Sequence, residues 1–393
     1  MVSLFWGVQG TFCVTGLLMI LMTVELNDWG GNYGWAFLSA LAQYSGMLCF
    51  GLVFELSCSP RTSASASGAR GGRPPPGGVA RRLHDLARRC WAQRRLIAPI
   101  ALADIADVFL HAFGLNYAGP ALYIVFFSSV TVWTALIRRM WLKRTLAPQQ
   151  WCAVGALTVA LAVTGAEHGG AGGEPAAKLV LGIALTLGAA VCDACMYVLT
   201  ERALGAGKAG GGAAGVGGGG GPSPSEITVG VGALNLAASV LYVGCYSAAG
   251  RWQAWVPDQI RAKGGDPRAV VVGWAAMSFV MFLHYLSFYY SVGAASAVGA
   301  AVNKAVQSAA TFLASAALYC NTSWGLGKAY PAAFVYDEKD CLTPLRGAAI
   351  LVVCGSVLLY AHGYRQLKAG HSSGGGSSQL ASKLLEGHDH ARC

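Results

Sequence analysis

Long apolar runs dominate this 393-residue chain, and the few ionisable residues inside them are arranged in patterns. Asp104, Asp107 and His111 stand at i, i+3 and i+7, which puts all three on one face of a helix. Two carboxylates a turn apart disfavour joint ionisation, the property that a proton-coupled site needs. The alternative is a structural hydrogen-bond cluster, or solvated groups at the mouth of a bundle. Lys304, Gln307, Ser308, Thr311 and Ser315 form a second stripe, with Asn303 beside the lysine. A lysine this deep suits the anionic group of a solute; a standing pair with Asp104, Asp107 or Asp193 is the other reading. Asp193 shares a face with Tyr197 and Thr200, and His284 with Ser287 and Ser291. Tyr285 and Tyr289, on an adjacent strip, could stack on a ring or simply pack. Gln9, Gln43 and Tyr44 are expected to hydrogen-bond between helices.

Composition decides what must position these groups. With 54% hydrophobic and 12% charged residues, the chain cannot cover a globule with water-compatible surface, since soluble domains carry roughly 25% charged residues. The chain is therefore expected to be an all-α polytopic membrane protein. A helix needs about 20 apolar residues to span a bilayer. Ten runs qualify: 3–24, 34–56, 96–115, 120–137, 148–166, 179–200, 227–248, 269–292, 295–319 and 345–363. The first lacks a basic n-region and a small-residue cleavage site, so it is expected to be retained. Gly293 separates the eighth and ninth runs by a tight turn.

Residues 57–95, rich in Ser, Gly, Pro and Arg, and residues 203–225, mostly Gly and Ala, are expected to be disordered linkers. Within the first, Arg81, Arg82, Leu83, Leu86, Arg88 and Arg89 have the pattern of a short basic interfacial helix. Nineteen of the 28 Lys and Arg residues fall on the side of the linkers and the C-terminal tail, eight on the other, and Lys304 lies inside a span. This asymmetry puts both termini in the cytosol, so the net charge of +10 is a topology signal rather than a nucleic-acid footprint.

The stretch from Ser128 to Gly165 and the stretch from Lys304 to Gly363 share a layout: a polar helix opening, a connection carrying Pro148 or Pro344, then a small-residue helix. Five spans repeated once give two halves of opposite orientation, because five is odd. The expected halves are 1–177 and 178–363, followed by a disordered tail at 364–393.

Here the chain resembles the drug/metabolite transporter superfamily, over about residues 4 to 363. The segment Ser128-Ser129-Val130-Thr131-Val132-Trp133-Thr134-Ala135-Leu136-Ile137, then Leu142-Lys143-Arg144 and Gln150-Trp151, is similar to that superfamily's fourth-helix, basic-turn, fifth-helix signature. Pro99 to Asp107, Tyr197 to Glu201 and Thr343 to Tyr360 are similar to its solute carrier 35 and chloroquine-resistance-transporter-like branches. Gly299-Ala300-Ala301-Val302-Asn303-Lys304 resembles a nucleotide-sugar transporter motif, with Ala301-Val302 where that motif has one leucine. The resemblance implies an EamA-like secondary transporter working by alternating access, with a substrate site at the midplane. Nucleotide sugars or other anionic solutes are one implied class; amino acids, peptides or cationic drugs moved with protons are the other. A membrane scaffold is a third reading. Lys304, Asn303, Gln307, Ser308, Ser128, Ser129, Tyr285 and Tyr289 would bind substrate. Asp104, Asp107, His111 and Asp193 would carry protons or balance charge. An endomembrane location (Golgi, ER or vacuole) is expected.

Gly205-Ala206-Gly207-Lys208 and Gly325-Leu326-Gly327-Lys328 lack phosphate-loop spacing. Cys192-Asp193-Ala194-Cys195 lies in a membrane run, without the context of a redox motif. Cys320 and Cys341 flank a non-cytosolic loop beside the sequon Asn321-Thr322-Ser323, where a disulfide is expected if the compartment is oxidising. No nucleophile, base and acid constellation and no metal-ligand spacing is readable, so neither enzyme activity nor a cofactor is expected. The expected partners are a small-molecule substrate and membrane lipid, not nucleic acid, with a homodimer left open.

Overall fold

The computed structural model describes residues 2–31, 37–58, 79–127, 129–143, 146–166, 176–209, 221–247, 250–319 and 343–373. Helices account for nearly all of them, and no strand occurs among the described residues. In chain order they are α1 (Val2–Asp28), α2 (Leu38–Cys58), α3 (Val79–Ala92), α4 (Arg94–Phe127), α5 (Val130–Trp141), α6 (Pro148–Ala166) and α7 (Ala176–Ala209). They continue with α8 (Pro224–Tyr242), α9 (Trp252–Trp255), α10 (Pro257–Ala262), α11 (Pro267–Ala295), α12 (Ala297–Tyr319) and α13 (Pro344–Ser373). By length and composition five are able to cross a membrane: Leu38–Ser57, Arg94–Gly114, Ala177–Gly205, Pro224–Tyr246 and Pro267–Ala295. Gly7–Thr23 and Gly347–Tyr360 are shorter apolar helices.

Helix starts follow local chemistry. At α8 the Ser223 hydroxyl accepts from the Glu226 N–H at 3.2 Å while Glu226 accepts from the Ser223 N–H at 2.9 Å, a capping box ahead of Pro224. At α11, Asp266 accepts from the Arg268 N–H at 3.0 Å ahead of Pro267.

Two breaks differ from the sequence expectation. The third and fourth runs were expected to part near Pro120, yet α4 continues to Phe127 and Ser129 lies in a turn before α5. In a membrane helix, neighbours can satisfy the backbone group that proline frees, so proline need not end it. The turn forms where Ser129 donates its hydroxyl to the Phe126 carbonyl at 2.6 Å. The eighth and ninth runs are two helices, as expected, but the joint is Ser296 at φ +91°, not Gly293. Helix also reaches into the stretches assigned to linkers and tail: Val79–Ala92 is helical, α7 extends to Ala209, α8 begins at Pro224 and α13 extends to Ser373.

The seams between helices form a pattern. α1 packs on α11 and α4 on α7; α1 also meets α12, as α7 meets α5. α2 lies against α11 and α4 against α8. α2 pairs with α8, α5 with α12 and α6 with α13. Close approach is achieved by small residues: the Gly46 backbone lies directly on the Ser278 carbonyl, leaving no room for a Cβ. The central apolar cluster joins Phe12, Tyr44, Ile100, Tyr197, Phe288 and Tyr289.

At one end of the bundle, α3 is pinned over α2 and α8. Arg89 reaches Glu226 at 3.1 Å and Glu55 at 3.6 Å, Arg82 donates to the Leu56 carbonyl at 2.8 Å, and Leu86 is buried beneath.

Candidate functional site

Inside the bundle, α2, α4, α7, α8, α11 and α12 bring polar side chains together among apolar neighbours. Three of the four intramembrane charges anticipated from sequence are buried carboxylates, Asp104, Asp107 and Asp193, at 0%, 8% and 2% exposure. Their one-turn spacing gives Asp104 and Asp107 a common face, but the structure gives them different surroundings.

Asp104 is the hub of a hydrogen-bond network. Its Oδ2 accepts from Asn235 Nδ2 at 2.8 Å and its Oδ1 from the Tyr285 hydroxyl at 3.0 Å. Tyr285 in turn accepts from Gln43 Nε2 at 2.7 Å. Tyr44 neighbours the same carboxylate. The network ties α2, α4, α8 and α11 together, and both Asp104 oxygens are used. Tyr285 and Gln43 belong to this network as well.

Asp107 and Asp193 differ. They stand on the adjoining helices α4 and α7, close enough to Lys304 of α12 for the charges to interact. Asp107 Oδ1 and Asp193 Oδ2 are buried without a hydrogen-bond partner among the described residues. So are the hydroxyls of Thr200, Tyr289 and Ser291 and the Asn303 amide nitrogen. Buried polar atoms are nearly always paired, with protein, water or ligand.

Aromatic rings surround this centre. Phe288 meets Tyr197 edge-on at 4.6 Å and Tyr289 at 5.1 Å. Lys304 Nζ lies 5.5 Å from the centre of the Phe127 ring. His284 stacks on Phe12 at 4.6 Å, with Nδ1 3.3 Å from the Thr15 hydroxyl. Both His284 and His111 lie within electrostatic reach of Lys304.

No protein-family model matches this chain, and no curated protein does. Solved structures do. Among them is a crystal structure with a TM-score of 0.52 at 14% identity, covering 89% of this chain and 98% of its own. At that identity the likeness carries the fold alone.

Of the other sequence candidates, Asn303 accepts from the Cys13 thiol at 3.4 Å, and Gln307 is packed against the Gly16 backbone. Ser129 spends its hydroxyl on the α4–α5 turn. Ser128, Cys320 and Cys341 lie outside the described residues, and the side chain of Ser308 does too. Sequence reasoning missed Asn235, a lone amide in an apolar run whose only signal was its polarity. It also missed the partnership of Arg138 and Glu201. Arg138 had been counted only as a topology charge, but Glu201 receives two parallel bonds from it, Nε to Oε2 at 3.0 Å and Nη2 to Oε1 at 3.1 Å. The same Glu201 accepts from the Ala297 N–H at 2.8 Å, fixing the start of the helix that carries Asn303 and Lys304.

Proposed function

We propose that this chain is a secondary-active transporter of a small organic metabolite, built as ten membrane helices in two inverted five-helix repeats. α1, α2, α4, α5 and α6 form the first half; α7, α8, α11, α12 and α13 form the second. The seams support this division. Exchanging the halves turns α1–α11 into α7–α4, α1–α12 into α7–α5 and α2–α11 into α8–α4, while α2–α8, α5–α12 and α6–α13 map onto themselves. An inverted repeat requires that symmetry. The basic excess at the end that holds α3 supports cytosolic termini, and an endomembrane location is part of the same proposal.

The observation that carries the reading is the set of unmatched buried polar atoms on Asp107 of the first half and on Asp193, Thr200, Tyr289, Ser291 and Asn303 of the second. A scaffold would gain nothing from burying them, whereas a site alternately opened to either side must offer groups that water or solute completes. Lys304 supplies a contact for an acidic group of the solute, and the aromatic walls supply stacking.

The test is uptake by purified protein in proteoliposomes, using nucleotide sugars, amino acids and organic cations. Accumulation of at least one class above protein-free vesicles is expected, with Lys304→Ala weakening the acidic members. If no class is taken up, the transporter reading is wrong; if Lys304→Ala changes none of them, the role of Lys304 is wrong.

A further inference from the structure

Around the joint between α3 and α4 the arginines divide into two groups. Arg82 and Arg89 turn toward the bundle, held by the Leu56 carbonyl, Glu55 and Glu226. Those two glutamates have further partners, since Glu55 accepts from the Ser225 hydroxyl at 2.8 Å and Glu226 from the Ser223 N–H at 2.9 Å. Arg81, Arg88 and Arg95 are exposed and form no ion pair or side-chain hydrogen bond among the described residues. Asp85, the only acidic residue of α3, lies 3.9 Å from His84. The outer side of the joint is therefore basic and its charge is unmatched.

The place of this strip decides what can match it. Helical hydrogen bonds run on through the joint, from Gln93 N–H to the Arg89 carbonyl at 3.0 Å and from Ile97 N–H to the Gln93 carbonyl at 3.1 Å. Residue phase thus carries from α3 into α4, and Arg81, Arg88 and Arg95, seven residues apart, fall on one strip with Trp91 at its edge. The strip continues into α4 as exposed Pro99 and then Leu102, which is 69% exposed within an apolar span that begins at Arg94. An apolar side chain left bare on a spanning helix faces lipid. Arg95 stands seven residues before it on the same face, about 10 Å along the axis, at the depth of the headgroups. Trp91 is likewise 69% exposed, and Arg94 fixes it: Nη1 donates to the Trp91 carbonyl at 3.0 Å and the guanidinium lies 4.8 Å from the ring centre. A bare indole beside arginines at a span end is the arrangement of an interfacial anchor.

We propose that Arg88, Trp91 and Arg95, with Arg81 beyond them, form a binding site for the headgroup of an anionic phospholipid. The guanidinium groups donate to the phosphate oxygens, and the indole lies at the boundary between headgroup and acyl chain. The cytosolic placement of this end sets the leaflet; the site itself requires no solute and no transport. Nucleic acid and acidic proteins offer the same charge, but a strip that runs straight onto the lipid-facing side of α4 is filled first by lipid.

The test is photo-crosslinking of the full chain in phosphatidylcholine vesicles that carry a trace of phosphatidylserine with a diazirine near its headgroup. Adducts are mapped by mass spectrometry of the peptides, and phosphatidylcholine bearing the same diazirine is the comparison. Phosphatidylserine adducts are expected to concentrate between residues 79 and 102, to exceed those of phosphatidylcholine there, and to decline as salt is raised. Arg88→Gln with Arg95→Gln is expected to lower this labelling on the order of 30-fold, about fivefold for each arginine near a charged surface. Arg261→Gln with Arg268→Gln, outside this strip, is expected to leave it unchanged. The wild-type map stands even if a variant fails to fold. Equal labelling by the two lipids, or adducts confined to other segments, would overturn the site. So would displacement of the lipid by an equal concentration of inorganic phosphate, an RNA oligomer or polyglutamate. Because no solute is present, the result is independent of whether the chain transports one.

Discussion

Glu201 holds Arg138 and the first N–H of α12 at once: the guanidinium of α5 on both oxygens, and Ala297 N–H on Oε2 at 2.8 Å. Both side chains of the pair are nearly buried, at 11% and 12% exposure. Removing one partner of a buried pair leaves an uncompensated charge and costs about 3–5 kcal/mol. Arg138→Ala is expected to fall in that range by thermal unfolding in detergent. Reversing the pair with Arg138→Glu and Glu201→Arg restores the attraction but puts a donor opposite the Ala297 N–H, so the double reversal is expected to stay well below wild type. Full recovery on reversal would mean that the contact to α12 contributes nothing.

The same logic separates Asp104 from Asp107. Asp104→Asn turns one acceptor into an amide donor facing the Asn235 amide, and a mismatched buried polar pair costs about 1–3 kcal/mol. Adding Asn235→Asp restores a donor opposite an acceptor, so the double variant is expected to be more stable than Asp104→Asn alone. Asp107→Asn, with no such donor at Oδ1 among the described residues, is expected to unfold near the wild-type temperature. Thermal scans of the four proteins decide it; equal losses for Asp104→Asn and Asp107→Asn would erase the distinction.

Periodicity placed Asp104 and Asp107 on one face because helical spacing is a local property, legible in three residues. Which of the two is satisfied depends on Asn235 and Tyr285, which are 131 and 181 residues away. No local pattern carries that. The apolar runs were legible for the same local reason, and the α11–α12 boundary came within a few residues. The α4–α5 boundary was misjudged because Pro120 reads as a breaker in water, while in a bundle its freed carbonyl can be satisfied by neighbours. Arg138 and Glu201 were visible as charges, but their partnership is a matter of tertiary distance.

Gly46 gives a test of how tightly α2 meets α11. A Cβ at that position would overlap the Ser278 backbone carbonyl directly, and backbone cannot swing aside. Gly46→Ala therefore overpacks the seam, which costs typically about 1–3 kcal/mol and is read in a thermal scan. Gly16→Ala, whose Cβ would meet only the far end of the flexible Gln307 side chain, is expected to cost less. If Gly46→Ala is neutral, α2 and α11 do not pack as described.

Cys90 stands on α3, outside the spanning segments, and looks like a convenient topology reporter. Its thiol is half-buried, with Sγ 3.8 Å from the Glu226 carbonyl, and its pKa is pushed up to about 11, chiefly by burial and also by the nearby Glu226 carboxylate. Only the thiolate attacks a maleimide, and at pH 8 a thiol with that pKa is about one part in a thousand ionised. In a variant retaining Cys90 as its sole cysteine, labelling is expected to be slow at pH 7 to 8 and to rise about tenfold per pH unit until near pH 11. Arg89 works against the rise from the other side, lowering the thiol's pKa, so Arg89→Gln should slow labelling further at a fixed pH. Rapid labelling at pH 7 with no pH dependence would mean that α3 does not lie packed on α2 and α8. A poor signal from Cys90 at neutral pH therefore reports burial of the thiol rather than the side of the membrane it faces.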